Sequence, residues 1–583
     1  MKLFFAKIFN SKAALPLVLV LLLAINWLSA SFHTRIDFTN EKRFTLSSST
    51  KNILKTLDAP VEITVLLTGD IKSEFKKLSN STQELLENFK NYGGNNIQYK
   101  FELPGEDLND SLKANVFDSL VTLGLRPTNQ QVQVKEGEGK NQRQIFPGAV
   151  LQYEGKTIAI DLLQGQVQKN IFNSDDLLDK QALNSAEALL EYKFANAIQK
   201  LTQKEVPVVA YAYGNGEPQF GFAPVNNVFE TLGKNFIVDT VNVRSQPFIS
   251  PEYAAVVIVK PTEKFTDEDK FKLDQYVMNG GRLLFFIDVL YAERDSLQEG
   301  DLIAYSRDLN LNDLLFRYGV RINPDLIADK HSDKIAVEVG SMGGQSQKQL
   351  LPWPYAPLLQ PGSDNAIVKN QADVMGQFAN SIDTIQTEGI TKTILLSSSD
   401  HAYTLPTPAR VQLNSLQTEE NINRFNKKNI PVAVLLEGNF TSLYANRISQ
   451  AQVDTLKAYN QPFLKTSSVP GKIIVVGDAD IVINQVSEII GPLSMGVNKY
   501  TKIQYANKDF FLNCTEYLAN PKNILDAKAK DYTLRLLDAK KITDQRTLWQ
   551  LINIVVPIIL VCLFGFIYQW WRKRKYTKIP IEK

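Results

Sequence analysis

The residues of this chain that could do chemistry lie directly after β-rich apolar runs. Gly214-Asn215-Gly216-Glu217 follows the run VVAYAY, which ends at Tyr213. Glycine-rich turns at the carboxyl ends of parallel strands are where α/β folds place ligands, and their backbone N–H groups can hold an anion. The alternative is a strand-exit turn that uses glycine for its positive φ. The sequence matches neither a G-x-G-x-x-G nor a Walker pattern, so both interpretations stay open.

Acidic residues follow two other apolar runs in the same way. Asp288 comes after LLFFI, and Gly477-Asp478-Ala479-Asp480 comes after IIVV. Carboxylates two residues apart can bind a hard cation through oxygen ligands. More often they cap the following helix by accepting its free N–H groups. We therefore predict no metal, and we include Asp288 and Asp478 with the glycine-rich turn as candidate ligand-binding residues.

Residues for nucleophilic or metal catalysis are few. The histidines, His33, His331 and His401, are far apart, and no serine stands in a G-x-S-x-G turn. Cys514 is not part of a sharp strand-to-helix turn, and no paired His or Cys spacing typical of zinc occurs. We expect no catalytic residue, no metal and no cofactor, and hence a protein that is not an enzyme.

The elements that would position these turns begin with an N-terminal domain over residues 37–170. Its runs of alternating apolar residues and its helical spacings predict the order β-α-β-α-β-β, which is that of a thioredoxin-like fold. The domain has no Cys-x-x-Cys, so dithiol redox chemistry is excluded. The predicted strands are 61–67, 97–103, 148–153 and 157–160.

Residues 180–500 alternate β-branched runs with helical spacings. This pattern predicts an α/β domain with a parallel sheet covered on both faces. Within it, residues 335–390 are rich in Gln, Ser, Gly and Pro and are predicted to be an insertion. We expect a long loop there to carry Trp353 and Tyr355 as an aromatic lid over the ligand.

Two apolar segments, residues 13–31 and 551–569, are each long enough to cross a bilayer as a helix. Lysines before the first segment and RKRK after the second mark the cytoplasmic side. We expect a two-pass protein of the bacterial inner membrane. Residues 1–12 and 570–583 would be cytoplasmic, 501–548 would return to the membrane as helix, and a large periplasmic domain would lie between the two spans. The alternative for the first segment is a cleaved signal peptide.

Composition limits the partners. The 583 residues carry a net charge of +2, and no domain-wide basic face indicates nucleic acid. Of the two cysteines, Cys562 lies inside the second apolar segment. Cys514 is then the only thiol of the predicted ectodomain, so no intrachain disulfide can form there. Such cysteine usage fits a large domain of the bacterial periplasm, and it argues against a eukaryotic secreted receptor.

An ordered set of segments resembles ABC-transporter auxiliary proteins. The run PWPYAPLL and the layout of two apolar segments are similar to the gliding-motility members of this group in Bacteroidetes. The resemblance covers essentially the whole chain, and the ordered set is more specific than any single motif. The segments are EKRFTLSSSTKNILKTLDAPVEITVLLTG (41–69), VVAYAYGNGEPQ (208–219), AAVVIVKPTEKFTDEDKFKLDQYVMNGGRLLFFID (254–288), IIVVGDADI (473–481) and TLWQLINIVVPIIL (547–560).

The resemblance implies a central domain of the amidotransferase-like, flavodoxin-type class that also occurs in intraflagellar-transport proteins. Class I glutamine amidotransferases place a cysteine in the turn after a strand, whereas Gly214-Asn215-Gly216 and Asp288 stand at those exits here. Many family members have histidine where this chain has Asn215, so a role of that imidazole does not carry over. The departures fit a scaffold without catalysis.

The resemblance further implies a complex with a separate permease and a separate ATPase, because this chain has no Walker A motif. It also implies a substrate-binding-like accessory role in gliding motility. A structural adaptor that couples the transporter to the cell envelope without binding a small ligand is the alternative. A cryptic hydrolase is a third possibility, for which a nucleophile and its base would have to meet in the fold.

Overall fold

The structure is a computed structural model, and its described residues form two compact units, residues 1–531 and 532–583. The predicted first membrane segment and cytoplasmic N-terminus lie outside the described residues, apart from Val20 and Leu23. The structure describes Val20, Leu23, 45–106, 108–125, 127–133, 140–163, 169–170, 186–293, 302–342, 345–412, 424–459, 461–487, 491–520, 527 and 539–576.

The N-terminal part of the first unit is built on a four-stranded sheet. Its elements are α1 (Ser48–Lys55), β1 (Val61–Val65), α2 (Ser73–Gly93), β2 (Ile97–Phe101), α3 (Asp110–Thr122), β3 (Thr128–Gln133), β4 (Lys140–Ile145), β5 (Gly148–Tyr153), β6 (Lys156–Asp161), β7 (Lys169–Asn170) and α4 (Leu190–Thr202).

The sheet has the strand order β2-β1-β5-β6. β1 and β2 are parallel, and β5 is antiparallel to both β1 and β6. Val61, Ile63 and Val65 face the core while Glu62 is exposed, which is the alternation expected of a strand with one buried face. The four predicted strands are confirmed, and the hairpin β3–β4 is an addition between α3 and β5. The thioredoxin-like assignment stays a prediction.

The central part of the first unit follows α4. Its elements are β8 (Val208–Tyr213), α5 (Asn226–Gly233), β9 (Ile237–Asn242), β10 (Ala255–Val259), α6 (Asp267–Met278), β11 (Leu283–Phe286), β12 (Leu290–Tyr291), β13 (Leu302–Ser306), α7 (Asn312–Tyr318), β14 (Val320–Ile322), β15 (Asp325–Asp329), β16 (Ser332–Met342), β17 (Gln345–Pro361), β18 (Val374–Met375), β19 (Ile382–Thr384), β20 (Ile390–Ser397), β21 (Ala402–Pro406), β22 (Ala409–Val411), β23 (Pro431–Gly438), α8 (Gln450–Ala458), β24 (Gly471–Val476), β25 (Val486–Ser487), β26 (Gly491–Pro492), β27 (Ile503–Gln504) and α9 (Asn507–Ala519).

A ten-stranded sheet forms the core of this part, in the order β16-β17-β20-β23-β24-β11-β10-β8-β9, with β18 paired to β17. The strands from β9 to β24 are parallel to one another. β23 and β20 are antiparallel to their neighbours, so the predicted parallel sheet is a mixed sheet. β23 is apolar and buried on both faces like a parallel strand, and its direction is therefore not encoded in its composition.

The prediction of a long loop that carries Trp353 and Tyr355 is wrong, because β16 and β17 form a long antiparallel hairpin there. Trp353 is only 1% exposed and packs edge-to-face against Tyr355 and Phe378, with ring centroids 5.6 and 5.4 Å away. The prolines of this segment favoured a loop in the sequence. β17 tolerates them because its pairing with β16 has a register shift between Pro352 and Pro357, and its pairing with β20 involves only Gln360 and Pro361.

Helices α4 and α9 join the two parts of the first unit through Glu516. Its Oε2 accepts a hydrogen bond from the Tyr192 hydroxyl at 2.8 Å, and its Oε1 lies 2.7 Å from Lys200 Nζ. Asn196 Nδ2 donates to Oε2 at 3.2 Å. Glu516 is 7% exposed, so these charge-assisted contacts are largely shielded from water. The helix that precedes the central sheet is thereby fastened to the helix that follows it.

The predicted helical return, residues 501–548, contains elements of both units. Its residues 507–519 form α9, in which Phe510, Phe511 and the free thiol of Cys514 are buried in the core of the first unit. In the second unit, residues 539–548 begin helix α10 (Ala539–Tyr576).

Part of α10, Trp549–Arg574, is long and apolar enough to cross a membrane, with a mean hydropathy of 2.7. It includes the predicted segment 551–569 and is the one such helix among the described residues. This finding supports membrane association, whereas two-pass topology stays a prediction.

Candidate functional site

The carboxyl ends of four adjacent parallel strands, β8, β10, β11 and β24, meet at one edge of the central sheet. The predicted residues Asp288 and Asp478 lie at this edge, after β11 and β24. The structure adds Lys260, the residue that directly follows β10. Lys260 has a φ of 48°, an uncommon backbone conformation for a side chain of this size. Such outliers persist where surrounding contacts hold them in place.

Lys260 lies among several carboxylates, which we call the Lys260 cluster: Lys260, Asp288, Glu293, Asp478 and Asp480. Its Nζ donates to Asp480 Oδ1 at 2.5 Å and lies 3.3 Å from Glu293 Oε2 and 3.6 Å from Asp288 Oδ2. The Lys260 side chain is 11% exposed, so the attraction is poorly screened. The ammonium thus neutralises part of the negative charge that these carboxylates bring together.

The acidic residues of the cluster are also held by backbone donors. Asp478 Oδ1 accepts from Asp480 N at 3.0 Å, which caps the single helical turn Ala479–Val482. Asp478 Oδ2 accepts from Gln377 N at 2.7 Å, and Asp288 Oδ1 accepts from Ala479 N at 2.6 Å. The capping interpretation of these acids is therefore confirmed for Asp478. Among the described residues, no group of His, Cys, Asp or Glu has metal-binding geometry.

Burial and charge shift the proton affinities in this cluster. Burial raises the pKa of Asp288, although the Lys260 ammonium opposes this shift. Burial, reinforced by Asp288 and Asp480, raises the pKa of Asp478 well above its usual range. Burial disfavours the charged form of Lys260, but attraction to Asp480, Asp288 and Glu293 outweighs it and raises the pKa of this lysine. Asp288 and Asp478 consequently hold a proton more tightly than isolated carboxyl groups do.

The Gly214–Glu217 turn is a tightly packed strand exit at the same edge. The Asn215 carbonyl accepts hydrogen bonds from Thr262 N at 3.0 Å and Glu263 N at 2.9 Å. Gly214 and Gly216 have φ values of 118° and 80°, and a Cβ on Gly216 would overlap the Thr262 hydroxyl. Both glycines are therefore explained by backbone conformation and close approach, as the strand-exit interpretation predicts.

Two side chains of this turn have unsatisfied oxygens. Glu217 Oε2 accepts from Asn215 N at 2.7 Å, and Asn215 Nδ2 donates to Asp269 Oδ2 at 3.3 Å. Asn215 Oδ1 and Glu217 Oε1 are buried without a hydrogen-bond partner. Burial raises the pKa of Glu217 to about 7. Since an unpaired buried carboxylate oxygen is unfavourable, the neutral acid is stabilised in this turn.

This pKa predicts how stability depends on pH. The folded state binds the Glu217 proton more tightly than the unfolded chain, so its stabilising contribution is complete below about pH 4.5 and is lost as the pH rises through about 7. Glu217→Gln, which stays neutral, should remove this loss. Relative to wild type, its free energy of unfolding should rise by about 3 kcal/mol between about pH 4.5 and pH 8, at 1.36 kcal/mol per pKa unit.

Urea unfolding of the detergent-solubilised chain across this pH range measures the effect. Glu252→Gln changes an exposed glutamate and serves as the matched control. Parallel profiles for wild type and Glu217→Gln would show that folding does not raise the pKa of Glu217, contrary to the expectation.

Trp353 and Tyr355 contact the segment that holds the site in place, and they do not cover the site as a lid. Phe378 packs on Trp353, and its N–H donates to the Tyr355 carbonyl at 2.9 Å. The preceding residue, Gln377, donates from Nε2 to Asp480 Oδ2 at 3.0 Å, in addition to its N–H contact with Asp478. The hairpin thus positions the segment that binds the two acids of the β24 turn.

Sequence reasoning missed Lys260, Glu293 and Gln377. Lys260 could have been found, because it follows an apolar run at the same edge as the glycine-rich turn. Gln377 lies 101 residues before Asp478 along the chain and has no local signal. Its role depends on how the β16–β17 hairpin packs.

The central part of the chain matches a known protein family. A family model described as an ABC-type uncharacterized transport system, of the auxiliary group, matches residues 206–514. This range is more than half of the chain, and it contains the Gly214–Glu217 turn and the Lys260 cluster. The chain belongs to this ABC-type transport auxiliary family. The expected resemblance is confirmed at the level of the family.

Other parts of this family member are also similar to known proteins. Residues 40–152 match a domain of unknown function. An uncharacterized protein of Borreliella burgdorferi (strain ATCC 35210 / DSM 4680 / CIP 102532 / B31) is 21% identical over 431 residues, which cover 71% of this chain and 75% of the relative. The auxiliary-family match excludes helix α10 and the N-terminal sheet, which lie outside residues 206–514.

Two solved structures are similar over about half of this auxiliary-family chain. The N-terminal domain of mmIFT52 is 13% identical, with a TM-score of 0.30, and the match covers 54% of this chain and 97% of that domain. The exo-beta-1,4-mannosidase Op5Man5 from Opitutaceae bacterium strain TAV5 is 11% identical, with a TM-score of 0.18, and the match covers 52% of this chain and 35% of that enzyme.

Proposed function

We propose that the chain is a membrane-anchored accessory subunit of an ABC transporter with a substrate-binding-like role. Membership of the auxiliary family supports the transport role. The chain has no Walker A motif, so the energy would come from a separate ATPase and the path through the membrane from a separate permease. Helix α10 supports attachment to the membrane. No catalytic step is part of the proposal.

The finer proposal is a role in gliding motility on the periplasmic side of a bacterial inner membrane, with both termini cytoplasmic. It is supported by the resemblance to the gliding-motility protein GldG of Bacteroidetes, carried by PWPYAPLL and the two apolar segments. The thioredoxin-like and amidotransferase-like assignments belong to the same proposal. The β2-β1-β5-β6 order and the parallel half of the central sheet support them.

The single observation that carries ligand binding is the convergence of charged side chains at the carboxyl edge of the parallel strands. Open α/β sheets bind ligands at this edge. Lys260, Asp288 and Asp480 are nearly buried there, although burying charges is unfavourable and structural strands do not require it. The structural adaptor remains the second candidate, because these charges satisfy one another and the Gly214–Glu217 turn is explained by packing.

Asn215→Ala tests the choice between the two roles. The variant removes a buried side chain with one unsatisfied oxygen while keeping the backbone bonds of the turn. If the edge binds the cargo, we expect gliding speed and transporter ATPase activity to fall about tenfold, because one buried hydrogen-bonding contact is worth about 1.5 kcal/mol. Asn52→Ala, on the exposed side of α1, is the matched control.

The same strains, carrying a tagged chain, allow gentle purification in mild detergent. We expect an ATPase and a permease to co-purify with wild type and with both variants. Their absence from the wild-type preparation would contradict the transport role. Normal motility and normal complex assembly in Asn215→Ala would instead favour the adaptor.

A further inference from the structure

A small three-stranded sheet, β12-β13-β22, begins at Leu290, two residues after Asp288 of the Lys260 cluster. Alternate side chains along a strand point to opposite faces. Ala304 of β13 is buried in the core beneath this sheet, whereas its neighbours Ile303 and Tyr305 are 61% and 52% exposed. Tyr291 of β12, directly opposite Tyr305, is 40% exposed. The outer face therefore presents large apolar and aromatic side chains to solvent.

The aromatic residues of this face are stacked. The rings of Tyr291 and Tyr305 have centroids 4.7 Å apart and an interplanar angle of 25°. Arg307 follows on the same side of β13, and its guanidinium lies 4.4 Å from the centre of the Tyr291 ring. Arginine stacks favourably on an aromatic face, and this contact fixes the plane of the guanidinium.

Two donors of the Arg307 guanidinium are buried without an acceptor. The residue is 7% exposed, and among the described residues neither Nε nor Nη1 has a hydrogen-bond partner. Arginine cannot give up its charge in a protein, and burying a charge without an acceptor is strongly unfavourable. The ring of Tyr291 offsets only part of this loss. A ligand that supplies acceptor oxygens would stabilise the arrangement.

Other buried cations in the described part of the chain have acceptors. Lys260 has the acids of its cluster, Lys270 lies 2.9 Å from Asp313 Oδ2, and Lys272 donates to the Val243 carbonyl at 3.0 Å. This difference separates Arg307 from the lysines that stabilise the fold.

Two acids of the described part of the chain, one on each side of Arg307 in the sequence, are paired with lysines. Glu293 lies 3.3 Å from Lys260, and Asp308 lies 2.6 Å from Lys264. The Arg307 backbone N–H donates to the Val289 carbonyl at 2.7 Å, which places Arg307 beside the segment that follows Asp288 in the chain. The guanidinium therefore lies next to the charged edge of the central sheet without taking part in its ion pairs.

We propose that Arg307 binds an oxyanion, a carboxylate or a phosphate group, of a ligand whose body packs on the Tyr291–Tyr305 face. The planar donors of a guanidinium match both anions in geometry. Exposed tyrosines supply flat contact area with little loss of side-chain entropy. The site stands on the buried guanidinium and is independent of the transport role, so it can be tested by binding alone.

Calorimetric titration of the detergent-solubilised full chain tests the site with glucose 6-phosphate, glucuronate and glucose. We expect saturable binding of at least one of the two anionic sugars and none of glucose. The stronger of the two anions identifies the phosphate or the carboxylate as the preferred group. Arg307→Gln should weaken anion binding at least tenfold, because charge-assisted hydrogen bonds are lost. Arg321→Gln, which changes an exposed arginine paired with Asp383, should leave it unchanged.

Thermal unfolding gives a second measurement that does not require the variant to bind anything. Without anion, Arg307→Met should unfold at a higher temperature than wild type, because it replaces an unpaired buried charge with an apolar side chain of similar length. A lower unfolding temperature would assign Arg307 a structural role. Absence of saturable anion binding to wild type, or equal binding by Arg307→Gln, would overturn the proposal.

Discussion

Asp274→Ala should lower the free energy of unfolding by about 3–5 kcal/mol, since removing one member of a buried polar network leaves the others unpaired. Asp274 is fully buried on α6. Its Oδ1 accepts from Leu443 N at 2.8 Å and Tyr318 OH at 3.0 Å. Its Oδ2 accepts from Ser442 Oγ at 2.6 Å and Gln275 Nε2 at 3.1 Å. One carboxyl group thus joins α6, the end of α7 and the segment after β23.

Denaturant unfolding of the purified full chain, followed by intrinsic fluorescence, measures this loss. Asp454→Ala is the control, because Asp454 is exposed on α8, and exposed substitutions usually change stability by about 0.5 kcal/mol or less. Burial raises the pKa of Asp274, while its hydrogen-bond donors oppose this shift. A loss no larger than that of Asp454→Ala would mean that the surrounding donors find water when the carboxyl group is removed.

Lys260→Met should lower the free energy of unfolding by about 3–5 kcal/mol at about pH 8, because it leaves buried carboxylates without their cation. Asp288 and Asp480 are 13% and 10% exposed in their side chains, and Asp478 is fully buried. The raised pKa of Lys260 means that its stabilising contribution is fully present below the pKa of the unfolded lysine, and therefore at both neutral and acidic pH. Without Lys260, whose charge opposes the raised pKa values of Asp288 and Asp478, these two carboxyl groups should take up protons as the pH falls.

The loss of unfolding free energy in Lys260→Met should accordingly be smaller at about pH 5 than at about pH 8. Adding Asp480→Asn should recover part of the lost stability at the higher pH. Lys264→Met is the matched control, because the exposed Lys264 makes one surface ion pair with Asp308. If the double variant is less stable than Lys260→Met, repulsion between the acids does not cause the loss of stability in Lys260→Met. Urea midpoints at the two pH values distinguish these outcomes.

The parallel half of the central sheet could be predicted because strands buried on both faces are continuous apolar runs in the sequence. VVAYAY, AAVVIV, LLFFI and IIVV all form parallel strands. The same signal could not give the direction of β23, since an antiparallel strand in the middle of a covered sheet is equally apolar. The proline-rich segment around Trp353 was misassigned because prolines favour a loop in a sequence, whereas here a register shift between Pro352 and Pro357 accommodates them in a strand.

The edge of the sheet was predictable for a related reason. Asp288 and Asp478 each lie two residues after the last residue of their strand, so the topology alone brings them together. The ammonium that joins them was not considered, because a lysine after a strand is usually a solvated residue. Arg307 has no sequence signal at all. Its guanidinium packs on the Tyr291 ring, which stacks on Tyr305, and these two tyrosines lie 14 residues apart in the chain.

The contacts of Glu516 have a mechanical consequence. Helix α4 precedes the central sheet in the chain, and α9 follows it. Tyr192 and Lys200 of α4 both contact Glu516 of α9. Tension applied along the backbone through these two ends would first load the side-chain bonds between the helices. The force would reach the parallel strands and the charged edge only after those bonds had broken. The contacts of one glutamate would therefore break before the sheet is sheared.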